Sequence, residues 1–374
     1  MTVDTEKLIT ALAALKRISQ LRNTLEILDS TLFECCELGL NLRTTNLTDE
    51  LEVALPYSGD PLERGVCVNT SNIHGLLVGL RSKDLELTIT DGRLHVLAPD
   101  DSFQTTLAVL PAEEYPSHVA SAIDQSWEFS TARQELRGAM AHAVAAASSD
   151  SSRYILNSVA IDADGDNLNV VGTDGRRLQM STIEFDGSID ETVILGAATV
   201  ATMCAALGES DEDVVTVTGG KGSIRFETKN TVMASKLIEG NYPNYKMVIP
   251  ARDSFVCEMS CDAKQLAEAI ARSQAILSKS IASECSVTLS PADGQLTVSA
   301  RSLAENATSQ SVKAEGWREG AMSEGRFSAA FIRSAMAGAS VATLHIPASG
   351  NDPILITNPN NDHTQAVVMP MRIQ

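Results

Sequence analysis

Basic residues are scarce. Lysine and arginine number 29 against 48 aspartates and glutamates, so the formal net charge is −19. An average of that sign argues against a generic nucleic-acid binder with an evenly basic surface. It leaves open a chain whose charges are segregated between faces. Long apolar runs are also missing, and none reaches the length that spans a bilayer. The first residues, MTVDTEKLIT, place no basic flank before an apolar stretch and so do not read as a secretory signal. A cytoplasmic protein with no membrane partner is expected. The seven cysteines are scattered. Cys35 and Cys36 are adjacent, and Cys257 and Cys261 share one segment, but there is no CxxC pair and no Cys/His cluster at zinc spacing. Buried free thiols in a reducing compartment are expected.

Motifs for catalysis are missing as well. VTGGKGS, residues 217–223, has Gly222 after Lys221 where a phosphate loop needs Ser or Thr. DADGDN, residues 162–167, misplaces its Gly, and Thr173 stands where a calcium loop needs a bidentate Glu. Both read as turns between strands. The histidines (His74, His95, His118, His142, His345 and His363) are dispersed. There is no GxSxG elbow and no GxGxxG between a strand and a helix. The paired carboxylates Glu113 and Glu114 fall in a loop and read as solvated. No catalytic residue, metal site or cofactor is expected.

What is present is repetition. LNLRTTNLTDELEVAL starts at Leu40, LNVVGTDGRRLQMSTI at Leu168 and LTVSARSLAENATSQSV at Leu296. Each reads as an alternating strand, a polar corner and a second strand, and the two intervals are both 128 residues. Upstream of each lies a helix-like segment: TEKLITALAALKRI from Thr5, TARQELRGAMAHAV from Thr131 and DAKQLAEAIARSQAIL from Asp262. Thr5, Thr131 and Asp262 read as N-caps. Downstream come the shorter helices SNIHGLLVGL, ATVATMCAAL and SAAFIRSAMAGA. Strand pairs follow, LELTITDGRLHVLA, VVTVTGGKGSIRFE and ATLHIPASGNDPILIT, with corners at Asp91-Gly92, Gly219-Gly220 and Ser349-Gly350. The expected fold is α+β, in three tandem domains over residues 1–122, 123–250 and 251–374. Its length and 44% hydrophobic content suit two or three domains.

Charge follows the repeat. The helix-like segments and the residues just after them carry Lys7, Lys16, Arg17, Arg81, Lys83, Arg133, Arg137, Lys264, Arg272, Lys279 and Arg333, while the acids inside the segments are few, Glu6, Glu135 and Glu268 besides the cap Asp262. Solvated helix faces are the plain explanation. A basic surface of helices that holds a phosphate backbone without reading bases is the sharper one. GTDGRRL, residues 172–178, falls at a hairpin corner that every copy requires, yet its chemistry belongs to the second copy alone.

Four stretches, RYILN (153–157), GTDGRRL (172–178), SKLIEGNYPNYKMVIP (235–250) and VVMPMRI (367–373), together with the threefold repeat, resemble the bacterial DNA polymerase III beta subunit, the sliding-clamp family. The resemblance runs the whole chain in the same order. It implies clamp-type domains of two helices on antiparallel sheets. It also implies a head-to-tail homodimeric ring around double-stranded DNA, with helices lining the hole, and no catalysis. The implied partners are a replicative DNA polymerase, a clamp loader and other replication and repair proteins with short peptide motifs. The family's peptide pocket maps onto Leu156, Thr173, Gly175, Arg176, Arg177, Leu178, Pro243, Met247, Val248, Val367, Val368, Met369, Pro370, Met371 and Arg372. In it, Thr173, Gly175 and Leu178 are expected to face the peptide, Asp174 to cap the turn, and Arg177 to hold the corner or pair a carboxylate. Arg22 and Tyr154 match DNA-touching positions, and Lys7, Arg81, Arg137, Lys264 and Arg272 are the helix cations expected to join them. Thr105 and Leu107 are expected to meet Ile276 and Leu277 of a second protomer. The chain departs from the family at Arg176 (commonly His), Met247 (often basic), Ile155 (aromatic), Asp150 and the extra Gln374. A monomeric adaptor of the same fold, and a hydrolase on a repeated α+β scaffold, are the rival readings.

Overall fold

The computed structural model describes residues 1–19, 25–116, 123, 125–208, 214–220, 222–277, 286–292, 294–302, 306–318 and 324–371. The six helix-like segments fold as α1 (Thr5–Ser19), α2 (Thr70–Leu77), α3 (Arg133–Val144), α4 (Ala197–Leu207), α5 (Ala263–Gln274) and α6 (Ala329–Ala335). Their apolar residues recur at three and four, which sets one stripe inward. In α1 that stripe is Leu8, Ala11, Leu12, Leu15 and Ile18, all buried. Asp262 caps α5 as expected, accepting from the Gln265 N–H at 2.8 Å. The cap of α1 is corrected. Asp4 caps α1, accepting from the Lys7 N–H at 2.9 Å, and Thr5 is already helical. Thr131 lies inside the strand Trp127–Ala132, opposite Val215, and α3 starts two residues later at Arg133.

The three repeated stretches are three hairpins. Gly39–Thr45 pairs with Asp49–Leu55, Asn167–Thr173 with Arg177–Glu184, and Gln295–Arg301 with Ala307–Arg318. Leu40, Leu168 and Leu296 are all fully buried, the period-two signature of a sheet with one face in the core. The Asp91-Gly92 corner has both residues at positive φ (52° and 70°), as a two-residue hairpin turn demands. The Gly219-Gly220 corner is corrected. Those glycines are strand residues opposite Ile224 and Ser223, and the turn follows at Gly222 (φ 83°). Gly219 is needed where it stands because a Cβ there would overlap the Trp127 ring.

By contacts the residues gather into two units. The first comprises residues 1–137, 185–190 and 198–239, with a five-stranded and a ten-stranded sheet. In it the strand Asp49–Leu55 of copy one pairs with Thr231–Lys236, the last strand of copy two. The second comprises residues 138–184, 191–197 and 240–374, around a twelve-stranded sheet. There Arg177–Glu184 of copy two pairs with Asn361–Val368, the last strand of copy three. Every described ladder is antiparallel. Among the described cysteines none is in a disulfide. Cys67, Cys257 and Cys261 are buried, but Cys36 is exposed, because it faces outward at the end of the strand Ser30–Cys36. Burial pushes the Cys67 thiol up to about 12 and the Cys204 and Cys261 thiols to about 11.

Candidate functional site

The GTDGRRL corner is tied by its own side chains. The Thr173 hydroxyl donates to the Arg177 carbonyl at 2.6 Å and accepts from the Gly175 N–H at 3.1 Å. Asp174 accepts from the Arg176 and Arg177 N–H groups at 2.9 and 3.1 Å, and from Arg177 Nε at 3.1 Å. The carboxylate is buried, and these donors supply what water would. Gly175 sits at φ 85°, which favours glycine. The Arg177 and Arg176 guanidinium groups lie 4.4 and 5.6 Å from the centre of the Phe331 ring. Asp174 and the Arg177 side chain therefore hold this turn.

Two other segments converge on it. In the ladder, Arg177 stands opposite Val368 and Leu178 opposite Val367. The chain then leaves the sheet but stays anchored: the Met369 N–H donates to the Arg176 carbonyl at 2.9 Å, and the Met371 N–H to the Arg326 carbonyl at 2.7 Å. Below the corner, Tyr242, Tyr245 and Ile249 pack with Val171, Leu178, Met180, Phe255, Leu355 and Val367. The Tyr242 hydroxyl donates to the Val171 carbonyl at 3.3 Å and the Tyr245 hydroxyl to Asp162 at 3.0 Å. Burial raises both phenols well above their ordinary range. Lys246 and Asp164 pair at 2.9 Å; that hydrogen bond raises the lysine and lowers the aspartate. Both are exposed, so the pair adds little stability.

Exposure sorts the expected pocket residues into two layers. Thr173, Leu178, Val367 and Val368 are buried in the folded chain and form a base. Above them Gly175, Arg176, Pro243, Met247, Val248 and Met369 are exposed, while Leu156, Arg177, Pro370 and Met371 are partly so. Met247 is 81% exposed, Val248 52% and Met369 42%, which is unusual for side chains of that size and places adaptable apolar groups at the surface. Pro243 also lines a cavity of about 350 Å³ with Asp162, Tyr242 and Tyr245. Arg372 lies outside the described residues. Phe331, Tyr242 and Tyr245 complete this floor and were not singled out from sequence. Only the linker spacing of the two tyrosines hinted at them, and Phe331 carried no local signal.

The remaining expected residues are placed separately. Lys7, Arg81, Lys264 and Tyr154 are exposed. Arg272 is exposed but bonded to Glu268 and Gln310, both at 2.9 Å. Arg137 is half-buried, and its Nε donates to the Cys204 carbonyl near the end of α4 at 3.1 Å. Arg22 lies outside the described residues. Thr105 and Leu107 share one face of Phe103–Ala108, the edge strand of its sheet. Leu277 is buried in its own core, and Ile276 packs partly against the same core. Among the described residues no three His, Cys, Asp or Glu side chains gather to hold a metal, and no helix is long and apolar enough to cross a membrane.

Comparison with known proteins decides the family. Residues 1–119 match the DNA polymerase III beta subunit, N-terminal domain, and residues 131–244 its central domain, together well over half the chain. The chain belongs to the DNA polymerase III beta subunit family. The Beta sliding clamp of Haemophilus influenzae is 28% identical over 80% of both chains. That of Pseudomonas aeruginosa is 27% identical over 100% of this chain and 99% of its own. A solved structure of a Pseudomonas aeruginosa sliding clamp, bound to griselimycin, has a TM-score of 0.84 at 24% identity and covers 100% of this chain and 99% of the other. The α+β repeat of this beta-subunit chain is thus the fold of the solved clamps.

Proposed function

We propose that the chain is a DNA sliding clamp. Two copies close head to tail around duplex DNA, and the ring tethers the replicative polymerase, the clamp loader and other replication and repair proteins through the groove over Met247, Val248 and Met369. It is cytoplasmic, needs no cofactor and catalyses nothing. Its three domains span residues 1–122, 123–250 and 251–374. The named relatives support the clamp and not a monomeric adaptor.

One observation carries the ring. Twice within the chain, the second strand of a copy's hairpin pairs antiparallel with the last strand of the next copy: Asp49–Leu55 with Thr231–Lys236, and Arg177–Glu184 with Asn361–Val368. The third hairpin strand, Ala307–Arg318, has no second neighbour beside residues 307–313 among the described residues. The last strand of copy one, Phe103–Ala108, is a sheet edge. Unpaired edges invite pairing. A third joint of the same kind can form only with another protomer, and repeating it closes a ring of two. The internal joints set its register. Ala234 faces Glu50, and Val367 faces Leu178; by the same count Thr106 faces Ala307, and Thr105 faces Thr308.

Cross-linking tests this. Facing Cα atoms in such a ladder lie about 4.5–5.5 Å apart, within reach of a disulfide. Thr105→Cys with Thr308→Cys is expected to give, on oxidation, a covalent species near twice 39.8 kDa on a non-reducing gel. Neither single variant should do so. Absence of the doubled band in a protein that is dimeric by mass would remove this register.

A further inference from the structure

In copy one the linker that leaves the domain closes onto its sheet. Leu110 and Pro111 pair with Cys67 and Val66, on the strand Val66–Asn69 that leads into α2. In copy two the matching strand is Val193–Gly196, which leads into α4. It pairs with Ser158–Asp164 on one side and stands at the end of its sheet. The next linker, residues 240–246, makes no ladder with it among the described residues. Instead this linker, with Asp162 and Thr192, lines the hollow of about 350 Å³.

The hollow adjoins the groove. Pro243 belongs to both, and Met247 and Val248 follow directly on the lining residue Lys246. Its chemistry differs from that of the groove. One Asp162 oxygen accepts from the Thr192 hydroxyl at 3.1 Å and the other from the Tyr245 hydroxyl at 3.0 Å. A carboxylate oxygen can accept two bonds, so each keeps room for a further donor. The exposed Asn241 and Asn244 line the same space. Glu191 and Glu239 adjoin lining residues in the chain. Lys246 is the lining cation, and Asp164 holds it at 2.9 Å. That pair is neutral as a unit, so the hollow carries the negative charge of Asp162.

We propose that this hollow holds a lysine or arginine side chain of the partner peptide that docks in the groove. Such a role rests on the groove being the peptide site, and it adds the charge of a residue flanking the apolar anchor. The occupant is cationic because the wall offers a carboxylate with acceptor positions to spare, and a charge-assisted bond there is stronger than a neutral one. It belongs to the groove-bound peptide because Pro243 is shared. Duplex DNA does not suit the hollow, since its phosphates and Asp162 carry the same sign.

The probe is a fluorescein-labelled peptide with a Gln and a Leu or Phe anchor. It is made in four forms, with Lys or Gln at either end beyond a Gly-Gly spacer, and each is titrated with the full-length protein at low salt. At one end Lys is expected to bind about fivefold tighter than Gln, and at the other end the two should agree within about 1.5-fold. In Asp162→Asn the Lys/Gln ratio at the favoured end should fall to about one. In Asn241→Asp, at an exposed lining residue, it should rise about twofold. Melting midpoints report that the variants fold. A ratio near one at both ends, or a preference that survives Asp162→Asn, would overturn the proposal. So would an equal preference for Lys at both ends, which is attraction to a chain of net charge −19 and not to a site. A preference that appears only in Lys246→Ala would give the hollow to the chain's own lysine and overturn it too. Binding by none of the four peptides would remove the groove as the peptide site, and this role with it. That result is distinct from binding by all four without preference, which removes the role alone.

Discussion

Replacing Met369 and Met371 together by alanine is expected to weaken binding of a polymerase-derived peptide about a hundredfold while leaving the fold intact. The peptide used would carry a Gln and a Leu or Phe anchor. The size follows from area: each truncation removes roughly 1.5 kcal/mol of apolar burial available to a partner, and about 3 kcal/mol is two decades of affinity. The selectivity follows from the backbone. Both residues are held by their N–H groups, to Arg176 and Arg326, so alanine keeps the chain path. Met369 is 42% exposed, and its loss opens no cavity in the core. Fluorescence anisotropy and a melting curve decide it. Affinity within about threefold of the parent would place the partner elsewhere.

The second large effect is on folding. Gly172 is a strand residue opposite Gln179, in the hairpin that carries the corner. A strand position ordinarily welcomes a β-branched residue. Here it cannot, because a Cβ on Gly172 would overlap the Ala143 carbonyl of α3, and backbone cannot rotate away. Gly172→Val is expected to cost about 3 kcal/mol and lower the melting midpoint by roughly 6–12 °C. Peptide binding should fall with it, since the strand positions Thr173 to Leu178. Gly138→Ala, on the exposed face of α3 with nothing within 4 Å of the new Cβ, should instead stabilise by up to about 1 kcal/mol. Calorimetry distinguishes the two. A Gly172→Val protein that melts with the parent would mean that α3 does not approach the strand so closely.

These two glycines show what the sequence could carry. Local patterns were legible. Leu40, Leu168 and Leu296 mark the same buried strand position at a fixed interval, and Asp262 caps its helix where the composition says it should. The corner at Asp174 was legible for the same reason, since its bonds run to residues two and three along the chain. Contacts between distant residues were not legible. Nothing near Gly172 announces Ala143, and nothing near Arg177 announces Phe331. Asp49 looks like one more surface acid. It is buried, accepting from Thr199 at 3.0 Å and Ser235 at 2.7 Å, 150 and 186 residues away. Arg137 looked like a free helix cation, and its guanidinium is bonded to the Cys204 carbonyl. The groove itself was legible only through a family's motifs. Its buried base, Leu178 and Val367, is indistinguishable in sequence from any other core pair.

Enclosure of DNA by a ring is a topological property, and one measurement addresses it directly. The protein is loaded onto nicked circular DNA by the clamp loader of its own source, the complex is isolated, and the circle is then cut. Retention on the circle and loss within the time of cutting are expected, because a closed ring slides off an end while its phosphate contacts are weak and sequence-independent. Retention that survives cutting would contradict it, since the protein would then be holding DNA by contact and not by enclosure.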